Sequence, residues 1–269
     1  MLVFLAVGLA AVFLSHAAPF PFLLDRFAPA RSIWRMPPTD PPAVYFTFDD
    51  GPNPTATPAL LDVLRAHGAR ATFFVIPEHV TTETAPILRR MAAEGHAIAL
   101  HSATRALLLE EPDELAALLE RQAADLARAA GVRPCRLFRP HAGWRSGRLY
   151  AGLARAGYTL AGWSWGLWDW NWFRRPEGPS LARRLLDRIS AGDIVVIHDG
   201  HHRNPHADRR YAVEAMAALL PALAARGFRF ERLCEPEPPA APGRPAAAGP
   251  EASGEPGALE HRADGVAVV

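Results

Sequence analysis

The segment AVYFTFDDGP, residues 43–52, begins as a strand and ends as a turn. Its first six residues are apolar or β-branched, a composition typical of a short buried strand. The sequence Asp-Asp-Gly-Pro that follows is a turn signal. Residues 57–69 then place apolar side chains at helical spacing and include a glycine near the end, which predicts a helix. The segment therefore opens a strand–helix unit, and the elements that follow decide the fold.

The same alternation of strand and helix continues to residue 233. Such alternation favours parallel strands joined by crossover helices. Polar side chains collect just after the predicted strand ends, which favours a closed barrel over an open sheet. We therefore predict an α/β fold, a distorted (β/α) barrel with about seven parallel strands. The predicted strands are 43–48, 71–76, 97–100, 135–138, 158–165, 193–197 and 228–233. The predicted helices are 57–69, 85–95, 111–131, 146–157, 180–192 and 210–227, the last interrupted or shifted near Pro221.

The two ends of the chain differ in composition from the middle. Residues 1–24 contain no charged side chain, which predicts a signal peptide or an N-terminal membrane anchor. We assign residues 25–40 to a linker and 41–234 to one folded domain. Residues 235–269 are rich in Pro, Ala and Gly and are predicted to be a disordered tail. These ends predict a protein that is secreted or membrane-anchored on the extracytoplasmic side.

Charge and cysteine content restrict the classes of function. The formal net charge of the 269 residues is +1, so no broad electrostatic field points to nucleic acid. The only cysteines, Cys135 and Cys234, are too few for a thiolate metal site or a disulfide-rich scaffold. A single bridge between them stays open if the chain is exported.

Charged and imidazole side chains follow the predicted strand ends. They are Asp49 and Asp50 after the first strand, His101 after the third, Arg139 after the fourth and His198 after the sixth. In a (β/α) barrel these positions converge on the C-terminal face, where chemistry takes place. A metal on one aspartate would leave the other free as a base, and a histidine can act as an acid or base near neutral pH. Taken singly, each residue also fits a structural role: a turn, a strand-end histidine or a surface ion pair.

The segment WSWGLWDWNWF, residues 163–173, holds five of the seven tryptophans of the chain. In a strand, alternate side chains face opposite sides, so one set can pack in the core while the other lines a groove. Exposed indole faces suit the apolar C–H faces of sugar rings. Core packing accounts for some of these tryptophans, and we expect the others to face a carbohydrate.

Taken together, five motifs resemble those of the NodB-like polysaccharide deacetylases, the family-four carbohydrate esterases. They are TFDDGP (47–52), HSATR (101–105), FRPHAGW (138–144), WSWGLWDW (163–170) and IVVIHD (194–199). The resemblance implies a distorted (β/α) barrel of the NodB-homology type. It also implies hydrolysis of acetyl groups on the N-acetylated sugars of an envelope polysaccharide such as peptidoglycan or a chitin-like glycan.

The resemblance implies a metal centre with a base beside it. Asp50 and His101 would be ligands of a divalent metal, most often zinc. Asp49 would be the general base that deprotonates a metal-bound water, and Arg139 would hold Asp49. The metal would act as a Lewis acid and as the source of the nucleophile.

The remaining roles implied by the resemblance concern the oxyanion, the leaving group and the acetyl pocket. The backbone N–H of Ala142 would help to stabilise the oxyanion. His198 would protonate the leaving amine, with Asp169 orienting it. Trp170 would form a wall of the acetyl pocket.

Arg105 departs from the family pattern, because a second metal-binding histidine is expected at its position. An arginine has no lone pair to offer a metal. Three outcomes are open: another group becomes the third ligand, water fills the gap, or the guanidinium pairs with Asp50 and hydrolysis is lost. His141 is the best substitute ligand, followed by His201, His202 and His206. The third outcome would leave a protein that only binds glycan, and an esterase that removes O-acetyl groups would use the same site.

Overall fold

Parallel strands form the framework of the part of the chain that the computed structural model describes, residues 3–8, 32–166 and 177–235. In that part the strand order is β1-β6-β5-β4-β3-β2-β8-β7, with β9 paired to β2, and the strand pairs are parallel. The strands are β1 Ser32–Ile33, β2 Ala43–Gly51, β3 Thr72–Val75, β4 Ala97–His101, β5 Leu137–Arg139, β6 Thr159–Ala161, β7 Trp165–Gly166, β8 Ile194–His198 and β9 Arg229–Phe230. The helices are α1 Ala56–Ala66, α2 Ala85–Ala93, α3 Pro112–Ala130, α4 Gly147–Arg155, α5 Gly178–Leu186 and α6 Arg210–Ala224.

The two faces of the sheet carry different side chains because side chains alternate along a strand. On β2, Val44, Phe46 and Phe48 belong to the large apolar cluster that also includes the buried faces of the helices. The opposite face carries a smaller cluster, which includes Tyr45 of β2 and the alanines and leucine of β4 and β5: Ala97, Ala99 and Leu137. Small side chains on this inner face leave room within the curve of the sheet, and the residues at its carboxyl edge are those that can line a site.

The predicted parallel α/β architecture is confirmed, with nine strands in the described residues instead of about seven. One extra strand is β1, which pairs with β6 and lies in the segment 25–40 that we predicted to be a linker. Arg35 in the same segment forms an antiparallel bridge with Asp193. The linker prediction is therefore wrong for residues 32–35. A two-residue strand shows no periodicity from which it could be predicted.

The predicted strand 158–165 is two short strands, β6 and β7, separated at Gly162. A Cβ atom on Gly162 would lie 1.8 Å from ring atoms of Trp34, so the ring packs directly on the backbone there. The Gly162 N–H donates to the Ile33 carbonyl at 2.7 Å. After Gly162 the chain leaves β6, which pairs with β1 and β5, and β7 pairs with β8 at the other end of the strand order.

The predicted interruption of the last helix near Pro221 is wrong, because α6 continues through Pro221 to Ala224. A proline removes its own hydrogen bond to the preceding turn and its ring crowds the carbonyl of residue i−4, but here it stands near the end of the helix. Leu219, Leu220 and Leu223 are fully buried, and their packing holds the helix together across the proline.

Cys135 and Cys234 form a disulfide, with their Cα atoms 6.4 Å apart. The bridge joins the segment just before β5 to the segment just after β9, and the two cysteines are 99 residues apart in sequence.

None of the helices in the described residues combines the length and apolar character needed to span a bilayer. Residues 3–8 are helical, and the rest of the predicted leader and nearly all of the predicted tail lie outside the described residues.

His96, just before β4, is a buried imidazole that is kept neutral by its surroundings. Its ring packs edge-on against Phe73 at 5.4 Å, and its Nδ1 accepts a hydrogen bond from the Ala71 N–H at 3.2 Å. Burial lowers the pKa of His96 to about 4, although the nearby Glu94 acts in the opposite direction. The unfolded chain returns this group to its ordinary pKa of 6.5.

Because the pKa of His96 is lower in the folded state, the stabilisation is present above pH 6.5 and is lost as the pH falls towards 4. We expect the loss to approach about 3 kcal/mol at pH 4. The His96→Asn variant, whose amide oxygen can replace Nδ1 as acceptor, should lose less stability over the same pH range. Urea denaturation of both proteins between pH 7 and 4 measures the difference, and parallel pH profiles would contradict the assignment.

Candidate active site

The carboxyl ends of two adjacent strand pairs, β2 with β8 and β4 with β5, bring the predicted site residues to one edge of the sheet. In the register of the sheet, Asp49 of β2 lies opposite His198 of β8, and His101 of β4 lies opposite Arg139 of β5. All four lie on the inner face of their strands, because they continue the alternation that begins with Tyr45, Ala97, Ala99, Leu137 and Ile194. Residues far apart in sequence thus line one face of the fold.

The two adjacent aspartates both reach this site because the strand is irregular at Asp50. Consecutive residues of a regular strand point to opposite faces. Asp50 has a φ of 69°, in the left-handed region, and the pairing of β2 with β3 shifts register between Asp49 and Gly51. This local bulge redirects the side chain of Asp50. His79 holds the turned backbone by a contact of 3.1 Å between its Nδ1 and the Asp50 carbonyl oxygen.

Arg139 is fully buried and holds Asp49. Its Nη1 donates to Asp49 Oδ1 at 2.6 Å and to Thr47 Oγ1 at 2.8 Å. The other guanidinium nitrogens donate to the carbonyl oxygens of Ala161 and Gly162 at 3.0 and 2.7 Å. The guanidinium therefore fixes one oxygen of Asp49 and orients the carboxylate.

Asp50, His101 and His141 form a group of potential metal ligands. One ligand atom from each lies within 4.8 Å of the others. Asp50 and His101 are buried, whereas His141 is half-buried. One carboxylate and two imidazoles are a donor set that suits zinc and similar divalent ions.

The hydrogen bonding of His101 favours a cation in this group. Its Nδ1 lies 2.7 Å from the Arg139 carbonyl oxygen, so this nitrogen must carry the proton. In the neutral imidazole, Nε2 then directs its lone pair towards Asp50 Oδ1, which is 3.1 Å away. Asp50 Oδ1 is buried and accepts no hydrogen bond from the described residues. A metal ion would satisfy both lone pairs, so the residues present fit the ion.

Electrostatics keep Asp50 and His141 in the forms that bind metal. Burial by itself would raise the pKa of Asp50, but the contact with His101 and the nearby imidazoles of His101, His198 and His141 lower it well below its usual range. Burial, with the neighbouring imidazoles of His101 and His202, lowers the pKa of His141 to about 4. At neutral pH Asp50 is therefore a carboxylate and the His141 imidazole is unprotonated.

Ser102 fixes the backbone that carries His141, a contact that the sequence analysis missed. The Ser102 hydroxyl accepts a hydrogen bond from the His141 N–H at 2.9 Å. Ser102 follows His101 directly, so the second residue of the HSATR motif ties the end of β4 to the 3-10 turn His141–Gly143. The sequence held one indication of this role, because Ser102 stands between the candidate ligand His101 and the loop that leaves β4.

The other candidate substitute ligands, His201, His202 and His206, lie outside the group formed by Asp50, His101 and His141. The His202 ring centroid is 4.6 Å from that of His141 and 4.5 Å from that of His201. His201 and His202 therefore extend the imidazole cluster beyond His141 without belonging to the group of three. His206 is exposed, and its N–H donates to Asn204 Oδ1 at 3.1 Å.

Arg105 turns away from Asp50. Its side chain is exposed, and its guanidinium carbon lies 4.9 Å from the ring centroid of Trp144. In the described residues Arg105 forms no ion pair with Asp50, which argues against the outcome in which the guanidinium replaces the metal. His141 stands nearest to Asp50 and His101 instead.

Asp199 packs beneath the turn at Asp50 and is a second residue whose part in the site was not predicted. It is buried, and the Thr57 hydroxyl donates to its Oδ2. A Cβ atom on Gly51 would lie 2.6 Å from Asp199 Oδ2, so the carboxyl group rests directly against the bulge. Burial, with the negative charges of Asp49 and Asp50, raises the pKa of Asp199 to about 7 despite the hydrogen bond from Thr57.

The remaining predicted residues have separate outcomes. Ala142 has a φ of 53° and a ψ of 21°, a left-handed conformation inside the 3-10 turn that follows β5. His198 ends β8 and is half-buried. Asp169 and Trp170 lie outside the described residues, so their predicted roles stay predictions.

The chain is similar to known proteins. Residues 37–161 match the family model described as polysaccharide deacetylase. A peptidoglycan-N-acetylglucosamine deacetylase of Bacillus cereus is 33% identical over 204 residues, which cover 75% of this chain and 91% of that protein. A chitooligosaccharide deacetylase of a Bradyrhizobium strain is 37% identical over 199 residues, which cover 71% of this chain and 89% of that protein.

The likeness extends to solved structures. A family 4 acetyl xylan esterase from Clostridium thermocellum, in complex with a cobalt ion, superposes with a TM-score of 0.61 and 28% identity over 71% of this chain and 88% of that one. The predicted fold type is thereby confirmed. The chain belongs to the polysaccharide deacetylase family, the NodB-like group whose motifs its sequence resembles.

Proposed function

We propose that the protein is a divalent-metal-dependent hydrolase that removes acetyl groups from the N-acetylated sugars of an envelope polysaccharide, with zinc as the metal. The observation that carries this proposal is the cluster of Asp50, His101 and His141 beside an aspartate held by Arg139. The curated relatives are named for peptidoglycan and chitooligosaccharide deacetylation. A protein that only bound glycan would need neither the buried Asp50 oxygen that lacks a hydrogen-bond partner nor the buried carboxylate of Asp49.

Asp49 is placed to take the proton of the attacking water. Arg139 fixes one of its oxygens at 2.6 Å, so the other can face the site. The water oxygen then forms a bond to the carbonyl carbon of the acetamide. A divalent ion bound by the three ligands would polarise that carbonyl and lower the pKa of water.

We assign the last step of the reaction to His198. It lies opposite Asp49 in the sheet register, so an acid and a base stand on neighbouring strand ends. As the C–N bond breaks, His198 gives its proton to the sugar nitrogen, and acetate and a free amine are the products. The N–H of Ala142 is the backbone donor that we assign to the developing oxyanion.

We also propose that the protein works outside the cytoplasm, either secreted or anchored to the membrane. The disulfide between Cys135 and Cys234 supports this location, because disulfides persist in oxidising compartments. The apolar N-terminal segment gives independent support.

Acetate release tests the proposed activity. N-acetylglucosamine oligomers should yield acetate with zinc-loaded protein, and treatment with a chelator should lower the rate by on the order of 100-fold or more. Zinc should restore the rate. His101→Gln should abolish release, whereas His67→Gln, which changes an exposed histidine after α1, should not.

Near-ultraviolet circular dichroism would verify that both variants fold. Absence of acetate from zinc-loaded protein would refute the proposal. Faster release from O-acetylated xylan than from the N-acetylated oligomers would assign the site to ester hydrolysis instead.

A further inference from the structure

Arg105 is an exposed cation at the rim of the candidate active site. It follows His101 by four residues, just beyond the carboxyl end of β4. Trp144, whose ring it covers at 4.9 Å, comes three residues after His141. Arg105 and Trp144 therefore each follow one of the candidate metal ligands, His101 and His141, by three or four residues.

Within the part of the chain that the structure describes, Arg105 has no acidic partner, whereas two arginines of the same region do. Arg148 pairs with Glu111 at 2.8 Å, and Arg155 pairs with Asp113 at 2.6 Å. Across residues 32–166 and 177–235, no carboxylate lies within ion-pair distance of Arg105. Arg105 is therefore a cation beside the candidate active site that can bind an anionic group of the substrate.

The segment that carries Arg105 is tied to the segment that carries Trp144. The Leu108 N–H donates to the Arg105 carbonyl oxygen at 3.1 Å, within the 3-10 turn Ala106–Leu108. The Ser146 hydroxyl then donates to the Leu108 carbonyl oxygen at 2.7 Å. Arg148 donates to the next carbonyl oxygen, that of Leu109, at 3.0 Å. The backbone that carries Arg105 is therefore fixed relative to the segment of Trp144 before any ligand arrives, which lowers the entropy lost on binding.

The Arg105 side chain is exposed, so its N–H groups are accessible to a ligand while the guanidinium carbon lies 4.9 Å from the Trp144 ring centroid. An indole below the plane of an arginine stabilises the cation and fixes the orientation of its N–H groups. These N–H groups can donate two parallel hydrogen bonds to one carboxylate. The neutral acetamide of the reacting sugar gives Arg105 no such partner.

We propose that Arg105 forms a carboxylate-binding subsite, so that the preferred substrate carries a carboxylate on a sugar close to the acetamide that is hydrolysed. The inference rests on the proposed function, because it names the substrate class of the same site. It also gives a role to the residue that departs most from the family motif.

The test compares two substrates that differ only in charge. One is an oligosaccharide of alternating N-acetylglucosamine and N-acetylmuramic acid without peptide, and the other is its carboxyl methyl ester. Wild-type zinc-loaded protein should show a KM for the acid about five- to tenfold lower than for the ester, with similar kcat. Added salt should reduce the difference, because Arg105 is exposed.

Arg105→Gln should raise the KM of the acid to that of the ester and leave the ester unchanged. Arg121→Gln, at an exposed arginine of α3, is the matched control and should keep the preference. Equal KM values for acid and ester in the wild type, or an equal change of both in Arg105→Gln, would overturn the proposal.

A binding measurement separates this proposal from the proposed activity. Calorimetric titration with the acid and the ester needs no turnover. Tighter binding of the acid by wild type but not by Arg105→Gln would support the subsite even if no acetate were released. Equal binding of the two ligands would refute the subsite even if the protein is an active deacetylase.

Discussion

An Arg139→Met variant is expected to lose about 3–5 kcal/mol of its free energy of unfolding. The guanidinium is fully buried and makes hydrogen bonds to Asp49, Thr47 and two carbonyl oxygens. Methionine fills part of the volume but leaves the Asp49 carboxylate buried without its cation. Urea denaturation followed by circular dichroism measures the loss.

The matched control for this substitution is Arg128→Met. Arg128 also pairs with an aspartate, Asp125, but both side chains are more than half exposed. We expect this variant to lose less than about 1 kcal/mol. If Arg139→Met does not fold, Arg139→Lys retains the charge without the planar fork and should show a smaller loss. Equal losses in the buried and the exposed pair would contradict the role of Arg139.

A His141→Ala variant is expected to bind zinc on the order of 100-fold or more weakly than the wild type. Loss of a residue that only supports a ligand costs 10–100-fold in affinity, and His141 is proposed to be a ligand itself. His141 lies with Asp50 and His101 in the group whose ligand atoms are within 4.8 Å of one another. Competition with a zinc-binding dye measures the affinity of each variant.

His202→Ala is the matched control for the zinc measurement. The His202 ring lies 4.6 Å from that of His141, so both substitutions remove an imidazole from the same cluster. We expect His202→Ala to change the affinity by less than tenfold, because His202 lies outside the group of three. Equal effects of the two substitutions would show that the cluster contributes charge and not one specific ligand.

Much of the site follows from sequence because strand periodicity has simple geometric consequences. Alternation along β2 puts Thr47 and Asp49 on one face, and parallel strands bring His101 and Arg139 to the same edge. The choice of His141 as a substitute ligand also needed only the argument that it follows a neighbouring strand. The strand pattern of the sequence therefore predicted that these side chains lie close together at one edge of the sheet.

The details that the sequence did not predict depend on backbone torsions and on tertiary contacts. Aspartate adopts the left-handed conformation more readily than most residues, but nothing in the sequence says that Asp50 and not Asp49 does so, and this conformation directs a second carboxylate into the site. The packing of Trp34 on Gly162 splits one predicted strand into two. The stacking of Arg105 on Trp144 joins two loops, and no local pattern relates them.

The central claim is that Asp50, His101 and His141 hold one divalent ion while Arg105 stays outside the site. A crystal of zinc-loaded protein, measured on both sides of the zinc absorption edge, tests it most directly. We predict one anomalous peak per chain in contact with these three side chains, and Arg105 over the Trp144 ring. Absence of a peak between them, with the Arg105 guanidinium paired to Asp50, would contradict the claim.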